Sequence, residues 1–174
     1  MDLLEDARAQ GHDFAYTRNL FIHLNFLYEI GELSAWTSRR GGMDNNGQPT
    51  VVIADDNREI LKVLASLLQP SHRVVSQAED GETAFRAIQT HQPELAILDI
   101  SMPAMNGLEV ARRLRAAHSS TKVVFLTLQT SSDFIEEARR CANGYITKMR
   151  LHSDLYPAMD AALGGEFFVS DLPA

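Results

Sequence analysis

Three carboxylates, a hydroxyl and an amine stand out because each closely follows a short apolar run. Asp55-Asp56 follow Val51-Val52-Ile53-Ala54, Asp99 follows Leu95-Ala96-Ile97-Leu98, Thr127 follows Val123-Val124-Phe125-Leu126, and Lys148 comes just after Tyr145-Ile146. If those runs are strands of one parallel sheet, the five side chains meet on one rim. Open α/β sheets bind ligands beyond the carboxyl ends of their strands. Three carboxylates gathered there repel one another unless protonated or bridged by a cation. A hard divalent ion such as Mg²⁺, held by a few oxygens and keeping waters, suits that need. Lys148 then supplies a point charge, and Thr127 a hydroxyl donor, for an anionic group sharing the metal. Metal, cation and hydroxyl around a carboxylate are the requirements of phosphoryl transfer onto it. No base is needed, because a carboxylate is ionised at neutral pH. Each residue alone has a plainer use: Asp56 or Asn57 can cap a helix, and a lone Asp or Lys at a loop start is ordinarily solvated. Five suitable types at successive strand ends favour the shared site.

The runs that position these residues are continuous rather than alternating and rich in β-branched side chains, as in strands buried on both faces of a parallel sheet. Val74-Val75 supplies the remaining one. Amphipathic stretches lie between them. Ile60, Leu61, Leu64, Leu67 and Leu68 fall on one helix face, as do Ala84, Phe85 and Ile88, then Leu108, Ala111 and Leu114. Leu151, Leu155, Ala158, Met159 and Ala162 make the last face. The stretch 132–140 is thinner, with Phe134, Ile135 and Ala138 its apolar residues. Five strand–helix units with right-handed crossovers predict an α/β fold with a doubly wound five-stranded parallel sheet.

Residues 50–168 resemble the receiver domain of two-component response regulators. The resemblance is carried by Ile53-Ala54-Asp55-Asp56, Leu98-Asp99-Ile100-Ser101-Met102-Pro103, Asn106-Gly107, Leu126-Thr127 and Gly144-Tyr145-Ile146-Thr147-Lys148. It implies a flavodoxin-like (βα)5 receiver in which Asp99 accepts a phosphoryl group from a partner's phosphohistidine. It also implies Mg²⁺ held by Asp55, Asp56, Asp99 and the Ser101 carbonyl, with Thr127 and Lys148 gripping the phosphoryl oxygens. Tyr145 resembles the switch aromatic, which turns inward as the threonine moves toward the phosphate. The implied partners are a sensor histidine kinase or phosphotransfer protein, and then a downstream protein target or a second copy. Such a protein signals by changing its surface; it is not an enzyme beyond its own Mg²⁺-dependent phosphorylation and dephosphorylation. Two alternatives stay open: the receiver part of a transcription regulator lacking its DNA-binding output domain, and a pseudo-receiver used only for interaction. An aspartyl-phosphate hydrolase of the haloacid dehalogenase kind would want a second Asp where Ser101 stands. The chain departs from the pattern at Leu128, where a small residue is usual, and at Met149, where many receivers carry proline. The shortened Cys141-Ala142-Asn143 is another departure, and Asn143 is expected to supply a left-handed helix end there.

The whole chain has 174 residues and a formal net charge of -7, which argues against a general nucleic-acid binder. The short clusters Arg112-Arg113-Arg115 and Arg139-Arg140 read as solvated helix faces. A single cysteine, Cys141, rules out an internal disulfide framework, and six scattered histidines show no paired ligand spacing. The start, MDLLEDARAQ, is acidic where a secretory signal would be basic. The apolar stretch 20–30 is interrupted by His23, Asn25 and Glu29 and too short to span a bilayer. A cytoplasmic protein, with no membrane and no direct nucleic-acid partner, is expected. Residues 1–49 read as an extension and linker, 50–170 as the receiver and 171–174 as a tail. Met43 is a plausible true initiator; alternatively 1–42 form a helical extension with Leu20, Leu24 and Leu27 on one face.

Overall fold

Alternation along each strand divides the interior into two cores. In the computed structural model, which describes residues 47–171 apart from Pro70, six parallel strands form one sheet. They are β1 (Thr50–Ala54), β2 (Arg73–Ala78), β3 (Leu95–Leu98), β4 (Lys122–Thr127), β5 (Gly144–Thr147) and β6 (Phe168–Val169), in the spatial order β2-β1-β3-β4-β5-β6. The helices are α1 (Arg58–Leu68), α2 (Gly81–His91), α3 (Gly107–Ala116), α4 (Ser132–Cys141) and α5 (Leu151–Gly164). Val51, Ile53, Ile97, Val124 and Ile146 point to one face and pack with Leu61, Leu64, Leu155 and Met159 of α1 and α5. Val52, Ala54, Leu98, Phe125 and Tyr145 point to the other and pack with Ala84, Ile88, Leu108, Leu114 and Ala138 of α2, α3 and α4. Successive strand side chains face opposite sides, so apolar residues at every position are the condition for covering both. The doubly wound parallel fold is as the sequence predicts.

The expected strand count of five is corrected to six. Gly165, with φ of 86°, ends α5 in the left-handed region, and β6 then pairs with β5 through Gly144↔Phe168 and Tyr145↔Val169. A two-residue strand carries no periodicity; contacts distant in sequence create it. The left-handed conformation expected at Asn143 is also absent. Helix α4 ends on an extended Ala142, and Asn143 turns back to β4, its N–H donating to the Val123 carbonyl at 2.7 Å and its Oδ1 accepting from the Val123 N–H at 3.1 Å. The amide side chain acts as one more strand-like partner, which requires no left-handed backbone. The readings of residues 1–42 and of the tail from 172 onward lie outside the described residues.

The α1 cap is Asn57, whose Oδ1 accepts from the Glu59 N–H at 2.9 Å. Helix α4 is the least anchored: Ala138 is its one buried residue, against five in α3 and six in α5. That agrees with its thin apolar pattern.

Gly107, at the start of α3, and Asp154, within α5, are testable. A Cβ on Gly107 would lie 2.1 Å from the Asp99 carbonyl oxygen, a backbone atom that has nowhere to go. Gly107→Ala is expected to lower the stability measured in urea by about 1–3 kcal/mol, the usual range for overpacking. Asp154 is buried on α5 and accepts from Arg150 Nε at 2.8 Å and from the hydroxyls of Ser153 and Ser170, each at 2.6 Å. Burial pushes its carboxyl up, but those three donors outweigh burial and hold it below the ordinary 3.8. A depressed folded-state value stabilises the fold well above 3.8, and that contribution is lost as pH falls through the folded value. Urea melts of Asp154→Asn should therefore fall short of wild type near neutrality, with the gap narrowing only once the pH is taken below 3.8.

Candidate functional site

Parallel strand order brings the sequence-predicted residues to one rim. Asp55 follows β1 and Asp99 follows β3, and these strands are neighbours in register through Ala54↔Leu98. Thr127 ends β4, paired to Thr147 at the end of β5, and Lys148 comes next. The carboxylate oxygens of Asp55, Asp56 and Asp99 lie within 4.8 Å of one another. Asp55 and Asp99 are buried, whereas Asp56 is exposed. Between the two buried groups sits the Lys148 ammonium. Its Nζ donates to Asp99 Oδ2 at 2.9 Å and forms an ion pair with Asp55 Oδ2 at 2.7 Å. Asp55 Oδ1 accepts from the Asn57 N–H at 2.9 Å, so the residue that caps α1 also orients this carboxylate.

Burial pushes the Asp55 carboxyl up, with the Asp99 charge adding to it, and the Lys148 ammonium and Asn57 N–H recover only part. For Lys148, burial lowers the amine's value, but its two carboxylate partners win and hold it above 10.5. Three carboxylates against one ammonium leave the rim short of positive charge. Asp99 Oδ1 is buried and makes no hydrogen bond with the described residues. Buried carboxylate oxygens without donors are costly. An all-oxygen donor set with excess negative charge is what Mg²⁺ prefers, so these residues fit that ion. Asp55, Asp56 and Asp99 would hold it. Ser101, whose carbonyl is the fourth expected ligand, is exposed in the loop after β3.

Thr127 is fully buried, and its Oγ1 accepts from the Gln129 N–H at 3.2 Å. Tyr145 is likewise fully buried; its hydroxyl donates to the Gln129 carbonyl at 2.9 Å, and its ring meets Phe125 edge-on. Burial, with the Asp99 charge behind it, pushes the tyrosine up to about 12. Gln129 therefore joins the threonine to the aromatic through its own main chain. No side-chain signal in the sequence marks it, because the backbone does the joining. Leu128, between them, is 68% exposed and so is not packed into the core, and Met149 is 70% exposed.

The remaining motifs lie elsewhere. Arg112 pairs with Glu109 and Glu137, Arg113 with Glu109, and Arg139 stacks 4.5 Å above the Phe167 ring. These are the solvated helix faces expected. The half-buried Cys141 thiol donates to the Glu137 carbonyl, and burial pushes its value up, away from nucleophilic use. His12 and His23 lie outside the described residues, and among the described ones the acidic trio is the one group arranged to hold a metal. No helix among the described residues is long and apolar enough to cross a membrane.

Comparison with known proteins converges on one family. The family model described as "Response regulator receiver domain" matches residues 51–160. The chain is 32% identical over 133 residues to the nitrate/nitrite response regulator protein NarL of Escherichia coli strain K12, covering 74% of this chain and 61% of that protein. It is 34% identical over 115 residues to the transcriptional regulatory protein PdtaR of Mycobacterium tuberculosis, covering 65% of this chain and 56% of the relative. The chain thus spans about three fifths of the length of the curated relatives it matches, 61% for the first of them. Among solved structures, the receiver domain of the NarL response regulator from Mycobacterium tuberculosis superposes with a TM-score of 0.61 at 28% identity, covering 68% of this chain and 95% of that one.

The charge imbalance generates a prediction. Titrating Mg²⁺ into the protein should raise its melting temperature, the gain reaching about 2.7 kcal/mol at a hundred times the dissociation constant. Asp99→Asn should abolish most of that gain. Because the Asp55 value is raised, the metal-free fold is penalised by the ionised carboxyl as pH rises through it. Protons therefore compete with the cation, and Mg²⁺ affinity should fall as the solution is acidified.

Proposed function

The chain belongs to the response regulator receiver domain family, and on that premise we propose that residues 50–170 are a phospho-acceptor in two-component signalling, phosphorylated on Asp99. The observation that carries this reading is the Lys148 ammonium held against both Asp55 and Asp99, with a buried Asp99 oxygen left without a donor among the described residues. The donor is a phosphohistidine of a sensor kinase or phosphotransfer protein. Its N–P bond breaks as an Asp99 O–P bond forms, and the histidine ring nitrogen departs with the electron pair.

Each residue has a distinct task. Asp99 is the nucleophile, already confined by burial and by one hydrogen bond from Lys148. Asp55 and Asp56 keep the rim negative enough to hold Mg²⁺, with the Ser101 carbonyl as a further oxygen. When bound, the ion neutralises charge between the acceptor and the incoming phosphoryl oxygens. Lys148 trades part of its contact with Asp99 for a phosphoryl oxygen, while its contact with Asp55 keeps the ammonium at the rim. Thr127, whose oxygen is already engaged as an acceptor, has its hydroxyl proton to donate to a second phosphoryl oxygen. Movement of Thr127 is felt at Gln129 and so at Tyr145, which is the route from the rim to the surface of α4. Helix α4 buries one side chain and is the element that can shift at least cost. A downstream protein, or a second copy, reads that shift.

The full set of two metal carboxylates, acceptor, threonine and lysine weighs against a purely structural interaction module. Intact-mass spectra test the reading directly. With Mg²⁺ and a small acyl-phosphate donor, wild type should gain one phosphoryl group, and Asp99→Asn should stay folded and gain none. Labelling of Asp99→Asn at the wild-type rate would place the acceptor elsewhere.

A further inference from the structure

Lys148 must hold its ammonium within hydrogen-bond reach of two carboxylates, yet the turn that carries it has no apolar anchor. The 3₁₀ turn Lys148–Arg150 contains no buried residue, and Thr147, which caps it, makes no side-chain capping bond. Thr147 Oγ1 is buried without a hydrogen-bond partner among the described residues. Something other than burial fixes the turn. Immediately before it, the Thr147 N–H donates to Ser170 Oγ at 3.2 Å. That hydroxyl in turn donates to Asp154 Oδ2 at 2.6 Å. At the end of the turn, Arg150 Nε donates to the same Asp154 oxygen at 2.8 Å. One buried carboxylate oxygen thus ties down both ends of the segment in which Lys148 sits. Ser170 is itself fixed, being 3% exposed with its N–H on the Tyr145 carbonyl at 2.9 Å.

We propose that Asp154 and Ser170 are positioning residues for Lys148, a polar clamp that sets where the ammonium stands between Asp55 and Asp99. The inference deepens the phospho-acceptor reading and rests on it for its catalytic meaning. Neither residue touches the acceptor or the incoming group; both act through the turn. Hydrogen bonds ending on a charge are short and strong, and a chain of them running through Ser170 is polarised by the carboxylate at its end. Breaking the chain leaves the Thr147 N–H unpaired and lets the turn relax, and small misplacements of a reacting array are costly in rate. Because Ser170 follows the last strand, the clamp also ties the segment leaving the domain to the strand that leads to Lys148.

The chain has three lysines, Lys62, Lys122 and Lys148, which gives a readout independent of phosphorylation. The full-length, metal-free protein is treated with an amine-acylating reagent, and labelling of each lysine is followed by peptide mass spectrometry. In wild type, Lys148 should label far more slowly than the exposed Lys62. In Ser170→Ala and Asp154→Asn, Lys148 should label several-fold faster with Lys62 unchanged, and Ser170→Thr, which keeps the hydroxyl, should return toward the wild-type rate. Ile88→Val, in the opposite core, serves as a destabilised control in which Lys148 should keep its protection. With Mg²⁺ and a small acyl phosphate, Ser170→Ala should lose about tenfold in maximal phosphorylation rate at an unchanged half-saturating donor concentration. Wild-type labelling of Lys148 in Ser170→Ala, or equal deprotection in Ile88→Val, overturns the clamp. A wild type that gains no phosphoryl group while the labelling pattern holds overturns the phospho-acceptor reading and leaves the clamp on Lys148 standing.

Discussion

Two buried carboxylates at the ends of adjacent strands would drive each other apart, and the ammonium of Lys148 is what allows Asp55 and Asp99 to share the rim. The arrangement is stable without being satisfied. Burial still raises Asp55, one Asp99 oxygen has no donor among the described residues, and Asp56 adds a third negative charge at the solvent edge. Such a site is poised to take up positive charge, and equally to take an anion that brings its own counter-ion. The rest of the structure is organised around keeping those groups in place. Two apolar cores clamp the sheet from both faces, Asn57 orients Asp55, and the close approach of Gly107 to the Asp99 carbonyl lets α3 start directly beneath the loop that follows Asp99.

From this rim two routes lead outward, and they differ in kind. Through Thr127, Gln129 and Tyr145 the connection runs along hydrogen bonds to the loop that precedes α4, the helix with the least burial holding it. Little apolar area resists displacement there, so a local change of charge at the rim can be converted into a change of surface. Through Lys148 the connection runs instead to α5 and β6, which are held by six buried side chains and by the Asp154 hydrogen bonds. One side of the domain is built to yield and the other to stay. A switch needs both, since a moving element produces a defined new surface only against a fixed frame.

The sixth strand belongs to that fixed frame. It is two residues long and extends the sheet past β5, while Phe167 just before it lies under Arg139 of α4 and Ser170 just after it reaches Asp154 of α5. The segment leaving the domain therefore touches the yielding helix and the rigid one within four residues.

Sequence alone determined five of the six strands, the doubly wound parallel fold and the membership of the rim. These are legible because a strand buried on both faces must be apolar at every position, and because parallel order puts the residue after each strand on one edge. Asp55, Asp56, Asp99, Thr127 and Lys148 follow from those two constraints and needed no knowledge of packing. Tertiary structure decided the features that depend on backbone groups or on contacts distant along the chain. Gln129 joins Thr127 to Tyr145 through its N–H and carbonyl, which every residue possesses, so nothing in its type announces it. Asn143 pairs with β4 instead of turning left-handed, because the neighbouring strand offers it two hydrogen bonds at once. Strand β6 is too short to show a period, and Asp154 and Ser170 look like ordinary surface residues until the fold closes over them and makes their hydrogen bonds obligatory.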